Sequence, residues 1–153
     1  MKIETKERVY AQLVSPLRTG GFIGPDSTDW FGKETEPLQG SVMYYPHGKT
    51  FRTHKHVLNP RIINRTQEVF IVVEGELTVD IYEDINKIQS IGQPIMVEPN
   101  GRCVHLGSLT AKAGEAIFVW AGWHRITLKG IAYEMKSGQW NGVISDDKEF
   151  LDV

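Results

Sequence analysis

Cysteine is almost missing from this chain: Cys103 is the single thiol in 153 residues, which excludes an intrachain disulfide framework and fits a reducing compartment. An excess of one charge is missing too. Seventeen basic residues meet 19 acidic ones for a formal net charge of -2, so no basic footprint points to nucleic acid or to an anionic membrane. No run approaches the roughly 20 apolar residues a membrane helix needs. The opening MKIETKERVY lacks the apolar centre of a signal peptide. The glycines at 20, 21 and 24 lack the Lys-Ser/Thr that a phosphate-cradling loop requires. Helical periodicity is weak throughout, and no internal repeat interrupts the chain. What these absences leave is a small domain expected to be soluble and cytoplasmic. A chain of this length buries roughly 70% of its unfolded surface and needs no metal or disulfide merely to fold.

Strand signals are abundant. In 68-EVFIVVEGELTVDIYED-84, Leu77, Val79 and Ile81 alternate with Thr78, Asp80 and Tyr82, the period of a half-buried strand. The segment reads as a hairpin, with a first strand through Val73, a turn at Glu74-Gly75-Glu76 and a second strand beyond. The run 116-AIFVW-120, bounded by Gly114 and Gly122, suits a strand buried on both faces. Alternation returns in 125-RITLKGIAYEMKSG-138, where Gly130 marks a bulge or turn. Residues 84–102 read as an exposed loop, and 146–153 as a tail with at most one helical turn. Residues 1–40 read as an N-terminal arm, rich in Gly and Pro beyond residue 15 and anchored by burial of Trp30 and Phe31. It precedes an all-β barrel over 41–145.

Two histidines stand one residue apart in 52-RTHKH-56. Residues two apart on a strand share a face, so His54 and His56 would project together, with Arg52 beside them. Gly48 lies before this pair, with five residues between it and His54. Glu68 follows after eleven residues, and six further residues separate it from Gly75. Downstream, 114-GEAIFVWAGWHR-125 runs from a glycine through a buried strand and a small turn to His124. Together these segments resemble the two motifs of the cupin family, across residues 48–124. Several departures accompany the likeness. The family's first motif has three or four residues where 57-VLNPRIINRTQ-67 stands here. In the second, Trp120 replaces a proline, Gly122 and His124 are one residue closer than usual, and Leu128 occupies an asparagine position.

The resemblance implies a single jelly-roll β-barrel and a homodimer. It also carries the family's ligand positions onto His54, His56, Glu68 and His124. Three imidazoles and a carboxylate suit one Fe, Mn, Ni, Cu or Zn ion better than Ca²⁺ or Mg²⁺, and open positions on such an ion would make the site reactive. Arg52, Trp123 and Tyr82 are candidate contacts to a small-molecule substrate, although core packing is the better account of most of the strand aromatics and an internal ion pair accounts for Arg52 equally well. His47 reads as a loop residue, His105 as able to face either way, and Cys103 as a buried inert thiol. Three functions are compatible. The first is a metal-dependent enzyme acting on a small polar, carbohydrate-related metabolite. The second is a metal-independent sugar-nucleotide isomerase or epimerase of the kind that serves polysaccharide synthesis. The third is a non-catalytic ligand-binding module.

Overall fold

The computed structural model describes residues 1–5, 8–15, 27–32, 38–56, 65–85 and 102–137. The eight regular elements within them are all strands: β1 (Lys2–Glu4), β2 (Val9–Val14), β3 (Ser27–Phe31), β4 (Gly40–Tyr44), β5 (Glu68–Asp84), β6 (Cys103–Lys112), β7 (Ala116–Val119) and β8 (Trp123–Lys136). Six of them form one antiparallel sheet in the order β1-β2-β7-β5-β6, with β8 also paired to β5; β3 and β4 form a second, two-stranded sheet. The all-β expectation holds at this level.

β5 organises the main sheet, and its course differs from the hairpin expected at Glu74-Gly75-Glu76. It is one strand of 17 residues. β8 follows it along nearly its whole length, from Glu68 opposite Lys136 to Tyr82 opposite Trp123. A bulge at Val73, where the register slips between Val72 and Glu74, bends β5 without reversing it. Gly75 lies opposite Gly130 at the bend, with φ of 79° and 133° respectively. A Cβ on Gly75 would fall 1.9 Å from the Lys129 carbonyl oxygen, and one on Gly130 would fall 2.0 Å from that of Glu74. The two backbones meet where no side chain fits.

The register also shows how far β5 curls. Glu68 pairs with Val119 at the end of β7, while Tyr82 pairs with Trp123 at the start of β8. Fourteen steps of straight strand would separate those two β5 residues by about 46 Å. The linker 120–122 reaches only about 13 Å, so even with the spacing between strands the ends of β5 lie within about 25 Å of each other. The sheet is therefore a curled half-barrel.

Its concave face holds the main core: Phe70, Val72, Leu77, Val79 and Ile81 of β5, Leu109 and Ala111 of β6, and Ile117 and Val119 of β7. Burial of each large aliphatic side chain contributes roughly 1.5–3 kcal/mol. β7 lies between β2 and β5, and Ile117, Phe118 and Val119 are all buried, as a continuous apolar run predicts. The second sheet covers the convex face at one end, where Phe31, Leu38 and Val42 pack against Val14, Val69, Phe118 and Trp120. Leu38 is fixed from both sides, since its N–H donates to Gln67 Oε1 and its carbonyl accepts from Trp120 Nε1, each at 2.9 Å. Trp120→Phe keeps the stacking on Phe118 but removes that donor. It should cost about 1 kcal/mol, visible as a drop of a few degrees in the thermal midpoint.

The expected arm is more integrated than its composition suggests. β1 and β2 enter the main sheet, β2 against β7, and residue 41 falls inside β4. Phe31 packs into the core as expected, but Trp30 is 68% exposed, because neighbours on a strand face opposite ways. The 84–102 loop is closed by the Ile85 N–H donating to the Arg102 carbonyl at 2.9 Å; most of it, and the expected tail at 146–153, lie outside the described residues. No described helix is long and apolar enough to cross a membrane.

Candidate functional site

Curling brings the two ends of β5 together, and with them two of the expected ligands. Glu68 opens β5, and His124 stands opposite Ile81 near the other end. His124 Nε2 nevertheless lies 2.9 Å from Glu68 Oε2. Both side chains reach the concave side: Glu68 shares its face with Lys136 in register, and His124 shares its face with the buried Ile81. The Glu68 carboxylate is 6% exposed and the His124 ring 28%, so the pair sits at the rim of the core with the histidine toward solvent.

The rest of the constellation comes from β8. Lys136, directly across from Glu68, places Nζ 2.9 Å from Glu68 Oε1. Glu134, two residues back on the same face, places Oε1 2.9 Å from the same Nζ. Oε1 of Glu68 is thus satisfied by an ammonium. Oε2 is buried and makes no hydrogen bond of good geometry among the described residues, although the His124 imidazole nitrogen is 2.9 Å away. Burial pushes the Glu68 carboxyl upward, yet its contacts with His124 and Lys136 outweigh that and hold it at about 2, against an ordinary 4.5. Burial disfavours the charged Lys136, but the flanking Glu134 and Glu68 carboxylates outweigh it and raise the ammonium above its ordinary value. Two carboxylates against one ammonium leave one negative charge uncompensated when His124 is neutral.

His54 and His56 do not join this group. Residues 45–56 form no strand, so the H-x-H pair is not displayed on one as expected. The two rings still lie together, 5.3 Å apart and edge to face, on an exposed segment. His54 Nδ1–H donates to the Arg52 carbonyl at 2.9 Å, which leaves Nε2 as the lone-pair nitrogen. Among the described residues, no three His, Cys, Asp or Glu side chains converge as a metal-binding group. The connection from His56 to Glu68 runs through 57–64, outside the described residues. Arg52 is exposed on the same segment, and His47 lies in the turn that the Gly48 N–H closes onto Tyr45.

Trp123 and Tyr82 stand on the opposite face of the sheet from His124. They pair with each other in register, and strand alternation turns them to the convex side. Trp123 Nε1 donates to Asp84 Oδ1 at 3.1 Å, and Tyr82 is buried against the His105 ring at 5.2 Å. As placed, they do not wall the space that His124 faces. Cys103 is fully buried, and burial, reinforced by Asp84, pushes its thiol up; the inert reading stands.

A Ser-His-Asp grouping that sequence spacing does not reveal lies on the convex face. Ser108 donates to Asp80 Oδ1 at 2.5 Å and accepts from His105 Nε2 at 3.2 Å. Arg125 holds Asp80 Oδ2 through Nε and Nη2 at 3.1 and 3.0 Å. The order of contacts is wrong for nucleophilic catalysis. The histidine donates to the hydroxyl, whereas a general base must accept from it. Burial works against the Asp80 charge, but Ser108, Arg125 and His105 outweigh it and lower its pKa. The group ties β5, β6 and β8 together as a structural link.

No family model, curated protein or solved structure matches this chain. The candidate site therefore rests on its own chemistry. The family resemblance put Glu68 and His124 among the expected ligands, whereas Glu134 and Lys136 had no assigned role. Their two-residue spacing in a strand was the available signal, and the missing piece was which face of β8 turns inward.

Proposed function

We propose that the chain is a cupin-like metalloprotein whose concave face carries a transition-metal site built on Glu68 and His124, and that it acts on a small polar, carbohydrate-related metabolite. The observation that carries this reading is the Glu68 Oε2 atom, a buried carboxylate oxygen that makes no hydrogen bond of good geometry among the described residues and has an imidazole nitrogen 2.9 Å away. A buried carboxylate left in that state is costly unless a cation completes it. The spacing suits one ion: two donors in neighbouring positions, each about 2.1 Å from a common centre, stand about 3 Å apart. The uncompensated negative charge favours the same occupant. His54 supports the reading from its side, because a ring N–H given to a backbone carbonyl is the arrangement that leaves the other nitrogen free to ligate.

On this reading Glu68 and His124 would hold the ion, and His54 and His56, which stand apart from that pair in this structure, would be its further ligands. A bound ion of this class polarises a substrate oxygen or lowers the pKa of water. The chain supplies the rest. The apolar concave face limits water around the carboxylate, Lys136 and Glu134 set the charge at the rim, and the partly exposed His124 ring gives access to a small ligand.

Elemental mass spectrometry of untagged protein tests this directly. Near-stoichiometric transition metal is expected, with loss of at least tenfold in occupancy in His124→Ala and in the His54→Ala/His56→Ala double variant. A wild-type protein that is folded and metal-free without chelator treatment would overturn the metal reading. One observation favours a second reading, a metal-independent isomerase or epimerase: only two metal donors converge among the described residues. In that case His124, beside the carboxylate of Glu68, moves the proton itself, and turnover of a sugar nucleotide persists in excess chelator.

A further inference from the structure

β8 is an edge strand built like an interior one. β5 pairs with one side of it from Trp123 to Lys136, and no other described strand pairs with the opposite side. Eleven of its fourteen residues are exposed. Alternation turns Ile126 and Leu128 to the concave face and Ile131, Tyr133 and Met135 to the convex one, and all five are between 39% and 67% exposed. Across the ladder the situation differs: Val79, Leu77 and Val69, opposite Ile126, Leu128 and Met135, are buried. Cover therefore stops one strand short of the edge on both faces. A long edge strand with exposed apolar side chains is a template for pairing, which monomeric proteins blunt by shortening or charging it. β1, at the far end of the sheet, is blunted in that way: it has three residues, and the exposed two are Lys2 and Glu4. β8 is not.

We infer that β8 pairs antiparallel with β8 of a second copy of this chain, joining the two sheets across a two-fold axis at Lys129. Area and complementarity both select that occupant. The five apolar side chains present on the order of 500 Å². With the polar side chains between them the strand offers on the order of 800 Å², one partner's share of a standard interface. In this register the strand also fits itself, since residues directly opposite share a face. Ile126 meets the partner's Ala132, Trp123 meets the partner's Met135, Arg125 lies on the partner's Tyr133, and His124 faces the partner's Glu134. An axis at Gly130 would instead oppose Ile126 to a glutamate and His124 to a lysine. The one like-charge contact at Lys129 is between side chains 76% exposed, each with Glu76 of its own chain at 3.7 Å. The seam thus brings a carboxylate of the second subunit to each His124 rim, independently of what else binds there.

Size-exclusion chromatography with light scattering at tens of micromolar tests the surface, with circular dichroism as a check on folding. Wild type should have twice the chain mass. Ile131→Lys/Tyr133→Lys should weaken association at least a hundredfold and give a folded monomer, whereas Trp30→Lys, equally exposed on β3, should leave the dimer intact. Lys129→Cys tests the register. Opposed Cα atoms of an antiparallel pair stand about 4.5–5.5 Å apart, within disulfide reach, so mild oxidation should link the two subunits. Cys103 is fully buried and does not compete. A monomeric wild type would overturn the inference. So would a dimer that survives the double substitution on β8 or is lost in Trp30→Lys, because its interface would lie elsewhere. A wild-type dimer from which Lys129→Cys forms no intersubunit disulfide would overturn it as well. Should the double variant not fold, Lys129→Cys, altered at the most exposed of these β8 positions, decides alone.

Discussion

Gly75→Ala and Gly130→Ala should each abolish cooperative unfolding or prevent recovery of soluble protein. Two costs combine at these positions. A non-glycine residue at positive φ is strained by about 1–2 kcal/mol. The added methyl carbon then meets a backbone carbonyl at 1.9 Å in β5 or 2.0 Å in β8, and backbone cannot move aside as the end of a side chain can. Separating the strands there breaks the ladder at the bend. The penalty is several kcal/mol, a large part of the roughly 5–15 kcal/mol that stabilises a domain. Gly114→Ala is the control. Its φ is 84°, yet a Cβ there meets nothing within 4 Å, so only the conformational cost applies and the melting point should fall by a few degrees. Thermal melts followed by circular dichroism would distinguish the cases. A Gly75→Ala protein that melts within a few degrees of wild type would show that β5 is not held by this contact.

The same bend shows what local sequence can and cannot reveal. Alternation in 77–82 marked Leu77, Val79 and Ile81 as one face of a half-buried strand, and the continuous run 116–120 suited a strand buried on both faces, because side-chain period and burial are local properties. Glu-Gly-Glu at 74–76, by contrast, has the composition of a hairpin turn. Whether Gly75 reverses the chain or bends it depends on Gly130, its partner in β8, and no local pattern reports a partner 55 residues away.

Trp30 and Phe31 illustrate the same limit on a smaller scale. Adjacent aromatics in an arm read as a joint anchor, but once β3 pairs with β4 only one of them can face the core. At the site, the family resemblance singled out Glu68 and His124, and the contact between them required the curl. Trp123 and Tyr82 are the sequence neighbours of His124 and Ile81 and therefore stand on the opposite face of the sheet. Lys136 and Glu134 lie two apart in an alternating segment, and only the pairing of β8 with β5 turns their face toward Glu68.

Acid should destabilise this protein through Glu68, over a window its environment defines. Its carboxyl titrates at about 2 in the folded chain and near its ordinary 4.5 once unfolded. A depressed folded value means the ionised form is the one the fold prefers. The stabilisation is therefore complete above about pH 4.5, declines as pH falls, and is gone below about 2. The difference corresponds to roughly 3 kcal/mol, shared with Lys136 as one ion pair and counted once. Glu68→Gln keeps the shape and removes the charge. In chelator, so that no metal contributes, the variant should be less stable than wild type near pH 6 by roughly 2–3 kcal/mol, and the gap should close progressively between pH 4.5 and 2.5. Urea unfolding at several pH values measures both limbs. Parallel stability curves for the two proteins would mean that Glu68 is not ionised in the folded state, or that Lys136 and His124 do not hold it. A buried neutral carboxyl in the metal-free protein would also remove the uncompensated charge on which the proposed cation site depends. The acid limb of the stability curve thus tests the electrostatics of the site independently of any bound ion.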